Sequence, residues 1–218
     1  VARSINFYPI EPEKAEDGIA VIAYGLGKFL MDGGGGLRFS PKYPKKILQL
    51  STPELVLKDT QKEFFAVNLD PDSFVPSVDD GANLFKLRFK EAEADASFKY
   101  AASTYDFENE MIRDGTYGNG KPVVTFSQIL NYKKIPLAEI LSDLLQICQK
   151  EMNNPIEIEF AVNMDTPSGE PAIFNFLQVR PIVLNDQLIN FNLDNVDPSE
   201  TIIYSESALG NGSFQDLN

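Results

Sequence analysis

The sequence contains no histidine. That excludes Ser-His and Cys-His nucleophile pairs, histidine-ligated zinc and a phosphohistidine anywhere in the chain. Cysteine is nearly as scarce: Cys148 is the only one, so no internal disulfide can form, in keeping with a reducing, cytoplasmic setting. Positive charge is sparse too. With 19 Lys and Arg against 32 Asp and Glu, the net charge is −13. Such a surface repels phosphate backbones, so nucleic acid is not an expected partner. A site for an anionic nucleotide must bring its own cationic groups or a metal ion to overcome that field. No run approaches the roughly 18 apolar residues that a membrane helix needs, so no membrane partner is expected. Residues 1–6 lack the charged and apolar regions of a signal peptide, and the chain opens on Val rather than Met, which reads as a cut within a longer protein.

What remains is an ordinary globular balance, 43% hydrophobic and 23% charged, in 218 residues. That is enough for one domain with a core, or one domain plus an arm. Residues 18–31 are apolar but interrupted by Gly25 and Gly27, which argues for a buried strand, a tight turn and a short helix or second strand ending at Asp32. The glycines at 33–36 then form a flexible connection. Strands are expected at 47–50 (ILQL), 62–69 (KEFFAVNL) and 123–130 (VVTFSQIL) and loops at 70–82 and 114–122, while 84–107 combines an apolar/charged alternation, LFKLRFK, with an Ala- and Glu-containing stretch and assigns to no one element type. The strongest helix covers 136–152. Pro136 suits its first position, Leu137, Ile140, Leu141, Leu144, Leu145 and Cys148 share one face, and Asn153-Asn154-Pro155 stops it. Two strands follow, 156–162 and 172–183, joined by a polar turn and expected to pair antiparallel. Residues 184–218 read as an exit segment with one short strand at 201–205.

This last hairpin carries the chemistry. Strand side chains alternate between faces, so Glu157 and Glu159 share one face of the first strand, Gln178 and Arg180 share one face of the second, and the four meet on one patch if the strands pair in register. If the hairpin is symmetric about its 166–171 loop, Glu159 lies opposite Gln178 and Glu157 opposite Arg180. A carboxylate and an amide oxygen are hard ligands suited to magnesium that also touches phosphate. Arg180 offers a planar fork for a phosphate or a carboxylate. The same residues also suit a solvated sheet face with one cross-strand ion pair, worth a few tenths to about one kcal/mol. Gly25 and Gly27 would let a backbone approach phosphates, yet no complete P-loop or dinucleotide-binding pattern accompanies them, and a lone glycine-rich turn is usually an ordinary turn.

At these residues the sequence resembles a known family. QVRPI at 178–182, preceded by IEIEF at 156–160, resembles the closing hairpin of the ATP-binding domain of phosphoenolpyruvate synthases and pyruvate phosphate dikinases. AYGLGKFLMDG at 23–33 resembles that family's Gly-Leu-Gly segment, and VARS at 1–4 a strand just before it. The resemblance covers about 1–36 and 136–184, in matching order, and leaves 37–135 unmatched.

The resemblance implies an α+β, ATP-grasp-like fold with a mixed or antiparallel sheet and helices on one face. Residues 1–186 would be the C-terminal lobe of the nucleotide-binding domain, and 187–218 an exit segment toward a phosphohistidine domain. Such a domain uses ATP to phosphorylate a carrier histidine on another domain of the same protein, for transfer to pyruvate. Glu159 and Gln178 would hold magnesium; Glu157, Glu159, Gln178, Arg180, Gly25, Gly27 and Lys28 would contact ATP; and Arg180 and Gln178 would act on the transferring phosphate. One departure stands out: Lys28 occupies a position where the family usually has Glu. It could bind phosphate, or mark a changed site. The other nucleotide lobe, the carrier histidine and the pyruvate barrel are not in this chain, so the chain alone is expected to be inactive. The alternatives are a degenerate ATP-grasp module with a regulatory or assembly role, and an unrelated acidic β-rich binding module.

Overall fold

A computed structural model describes residues 1–79, 81–118, 120–167 and 169–182. The architecture is α+β, and every strand pairing is antiparallel. In chain order the elements are β1 (Ala2–Arg3), β2 (Ile19–Ile22), α1 (Lys28–Met31), β3 (Leu37–Phe39), α2 (Pro53–Asp59), β4 (Glu63–Val67), β5 (Leu84–Arg88), α3 (Phe89–Ala92), α4 (Phe98–Ala101), β6 (Ala102–Asp106), β7 (Met111–Asp114), β8 (Lys121–Val124), α5 (Ser127–Leu130), α6 (Leu137–Met152), β9 (Ile156–Asn163) and β10 (Ile173–Pro181). The main sheet runs β10-β9-β1-β2-β3; β4-β5 and β7-β6-β8 form two smaller sheets.

Alternation in β9 builds the main layer. Ile156 and Ile158 are fully buried and share the core with Leu141 and Leu145 of α6. Ala2 and Ala20, directly opposite each other on β1 and β2, lie in the same core. Their small size lets a helix pack closely over the sheet centre. The apolar stripe of α6 behaves as its spacing predicts: Leu137, Leu141 and Leu145 are buried, while Ile140, Leu144 and Cys148 pack partly against the core. Pro136 sits at the N-cap, one position earlier than expected, and Asn153, left-handed at φ 51°, closes the helix. Among the described residues no helix is long and apolar enough to cross a membrane.

Two expected strands are corrected. ILQL at 47–50 is a 3-10 turn over Leu48–Leu50 leading into α2. The start signal there outweighs the apolar run: Thr52 Oγ1 accepts from the Leu55 N–H at 3.3 Å and Pro53 opens the first turn. The strand expected at 123–130 ends at Val124. The Ala101 carbonyl accepts from both Thr125 and Phe126 N–H groups, at 3.0 and 2.9 Å, Phe126 turns left-handed, and α5 begins at Ser127. The unassigned stretch 84–107 resolves into β5, over the start of the LFKLRFK alternation, then α3, α4 and β6. Its aromatic residues explain the packing. Phe64 of β4, Phe89 of α3 and Phe98 of α4 surround Tyr24, with ring centroids 5.1 Å (Phe64), 6.2 Å (Phe89) and 5.2 Å (Phe98) from it. The strand expected at 201–205 and the exit segment at 187–218 lie outside the described residues.

Candidate functional site

The β9–β10 hairpin places the four singled-out polar residues as the loop symmetry anticipates. Glu159 pairs with Gln178, and Glu157 with Arg180. The route to that register was not anticipated. Next to the turn the ladder pairs Ile173 with Asn163, one residue off the symmetric arrangement, and an irregularity between Phe176 and Gln178 restores it. Leu177 is the extra residue, a β-bulge that re-aims the polar end of β10.

A third strand completes the cluster. Arg3 of β1 lies opposite Glu157 on the side away from Arg180. Arg3 Nε donates to Glu157 Oε2 at 2.5 Å, and Arg180 Nε donates to Oε1 at 2.9 Å, with Arg180 Nη2 on the same oxygen. The Glu157 side chain is 6% exposed, whereas those of Arg3 and Arg180 are 49% and 53% exposed. One buried carboxylate thus anchors two half-exposed guanidiniums. Burial pushes the Glu157 carboxyl up, but the hydrogen bonds from Arg180 and Arg3 and their charges outweigh it, so it titrates below its ordinary 4.5. The same bonds push the Arg180 guanidinium up. Arg3 was missed from sequence because alternation gives the face of a residue but not the partner of a strand 154 residues away.

Glu159 is half-buried and Gln178 exposed, and among the described residues neither makes a side-chain hydrogen bond. A carboxylate and an amide oxygen from directly opposed positions fit the donor set of a magnesium ion that keeps water and phosphate among its ligands. They do not make an all-protein cage: among the described residues there is no group of three or more His, Cys, Asp or Glu able to hold a metal.

The glycine segment lies elsewhere. Gly25 and Gly27 line a cavity of about 420 Å³ whose walls include Tyr24, Leu26, Phe64, Phe126 and, from the hairpin, Phe160 and Leu177. None of Glu157, Glu159, Gln178 and Arg180 lines it. Gly25 has its own structural cause: its φ is +89°, and a Cβ there would sit 3.0 Å from Phe64 Cβ and 3.1 Å from Phe65 O. Gly27 has nothing within 4 Å of a Cβ. Lys28 opens α1 and pairs with Asp32 at 3.3 Å. On the wall of the same cavity the Tyr24 hydroxyl donates to Asp95 Oδ2 at 2.7 Å; burial and that carboxylate raise the phenol well above its ordinary value.

No family model, curated protein or solved structure matches the chain.

Proposed function

We propose that this chain is the ATP- and magnesium-handling lobe of a phosphotransferase of the phosphoenolpyruvate synthase or pyruvate phosphate dikinase type, working in the cytoplasm. The observation that carries the reading is the register of one sheet face: Glu159 beside Gln178, and two residues on, Arg180 held by Glu157. Phosphoryl transfer asks a protein mainly for positioning and charge neutralisation. Arg180 is suited to that task because Glu157 fixes one edge of its fork while about half of the side chain stays open to solvent. Gln178 adds a neutral donor and acceptor next to it, and Glu159 a carboxylate. Magnesium bound at Glu159 and Gln178 would supply the charge neutralisation that an anionic nucleotide needs beside a chain of net charge −13. The phosphate acceptor would be a carrier histidine on another domain of the full-length protein, since this chain has none.

A second reading, a degenerate ATP-grasp module with a regulatory or assembly role, draws on Lys28. That residue pairs with Asp32 at 3.3 Å, and the glycine segment beside it does not converge with the polar four. Transfer of the γ-phosphate of ATP to a histidine of the full-length protein separates the two. The phosphotransferase reading expects transfer by the wild type and its loss in Gln178→Ala, a substitution at an exposed residue. Absence of transfer by the wild type, with ATP still bound, would favour the degenerate module.

A further inference from the structure

Arg3 reaches the polar face because of its place in β1. Its neighbour Ala2 lies in the core with Leu141 and Leu145 of α6, so alternation turns Arg3 to the opposite, open face of the sheet. β1 runs between β9 and β2, which sets Glu157 on one side of Arg3 and the apolar, half-buried Ile19 on the other. Across β9, Arg180 stands on the far side of the same carboxylate. The two arginines are therefore two strand spacings apart at the backbone, about 10 Å, and both reach inward to Glu157.

One guanidinium is enough to neutralise one carboxylate. Glu157 has two, and it titrates below its ordinary 4.5, so at neutral pH the trio carries a surplus positive charge. Arg180 alone would bring no surplus, since Glu157 cancels its charge. Arg3 is what makes this spot cationic in a chain of net charge −13. The hydrogen-bonding capacity divides in the same way. Arg3 engages Glu157 through Nε only, and Arg180 through Nε and Nη2. Among the described residues, Arg3 Nη1 and Nη2 and Arg180 Nη1 donate no hydrogen bond, and about half of each side chain is open to solvent. A guanidinium carries five N–H donors in one plane. The carboxylate thus fixes both forks from the inside and leaves their outer edges for another acceptor.

We propose that Arg3 is a second phosphate-binding residue, and that Arg3 and Arg180, set by Glu157 between them, form a two-armed clamp for the polyphosphate of a nucleoside triphosphate. The inference rests on the phosphotransferase reading above, which takes Arg180 as a phosphate contact. The clamp selects a polyphosphate over a single phosphate. Its arms flank a carboxylate that repels a phosphate placed directly over it, whereas neighbouring phosphates of one chain can each face one arm and straddle it. Glu157 is a positioning residue in this arrangement, acting through the two arginines. Glu159 and Gln178, the next pair on the same face, would hold magnesium beside the clamp.

The test is calorimetric titration of the full-length protein, in magnesium, with ATP, AMP and inorganic tripolyphosphate, for the wild type, Arg3→Gln and Arg3→Lys. The deciding readout is the ratio of ATP affinity to AMP affinity, which a general loss of sheet packing would not shift. Arg3→Gln removes one charge-assisted contact and is expected to lower that ratio by about tenfold or more, and to weaken tripolyphosphate binding by a similar factor. Arg3→Lys keeps the charge beside Glu157 but loses the planar fork, and is expected to lower the ratio by a smaller factor, about threefold or more. It also carries the test where Arg3→Gln does not fold. An unchanged ratio, including equal weakening of ATP and AMP, would overturn the clamp and leave the phosphotransferase reading standing. Wild-type protein that binds tripolyphosphate but not ATP, with that binding lost in Arg3→Gln, would sink the nucleotide reading and support the clamp. Wild-type protein that binds neither would overturn both.

Discussion

Glu157 and Arg180 are direct partners across the β9–β10 ladder, and the Arg180 fork closes on one carboxylate oxygen while Arg3 holds the other. A buried carboxylate with two cationic partners is costly to disturb, because removing it leaves two charges oriented toward an empty anchor. Glu157→Gln should destabilise the chain by about 1–3 kcal/mol, measured by urea unfolding. Arg3→Ala and Arg180→Ala should be non-additive, with a coupling of about 0.5 kcal/mol or more in a double-mutant cycle, since both act on one carboxylate. Strict additivity would show that the two guanidiniums do not share it.

The depressed titration of Glu157 has a definite sign. Its carboxyl is harder to protonate in the folded chain than at its ordinary 4.5. The stabilisation it gives is therefore complete above pH 4.5 and lost as pH falls through the lower, folded value. Urea midpoints measured from neutral pH down through this range should fall more steeply for the wild type than for Glu157→Gln. Parallel profiles would remove Glu157 as a source of the acid sensitivity.

Gly25 and Gly27 should separate cleanly. Gly25→Ala places a Cβ against Phe64 and Phe65 at a φ of +89°, and should cost about 1–2 kcal/mol in unfolding experiments. Gly27→Ala, in right-handed backbone with open space around it, should change stability by less than about 0.5 kcal/mol. A larger effect at Gly27 than at Gly25 would contradict the packing described.

Much of this fold was legible because its strongest patterns are local. The stripe on α6 and the alternation of β9 each announce a buried face, and the structure buries Leu141, Leu145, Ile156 and Ile158 together. The pairing of Glu157 with Arg180 was legible too, though it depends on the bulge at Leu177, which no local signal marks. Arg3 was not legible as a partner, because strand order in a sheet is a long-range property. At 47–50 a four-residue apolar run suggested a strand, and the Thr52-Pro53 start signal decided otherwise. Gly25 was open to two explanations, and close packing against β4 accounts for it without a ligand.

The nucleotide reading stands or falls on Glu159 and Gln178, since neither is tied up in side-chain hydrogen bonds among the described residues and neither should matter much for stability. The most direct measurement is calorimetric titration of the full-length protein with ATP, with and without magnesium, for the wild type and for Glu159→Ala. The account predicts magnesium-dependent binding by the wild type and a loss of at least about tenfold, or about 1.4 kcal/mol, in the variant, with unfolding stability unchanged. Wild-type protein that fails to bind ATP, or a variant that binds it as tightly as the wild type, would contradict it.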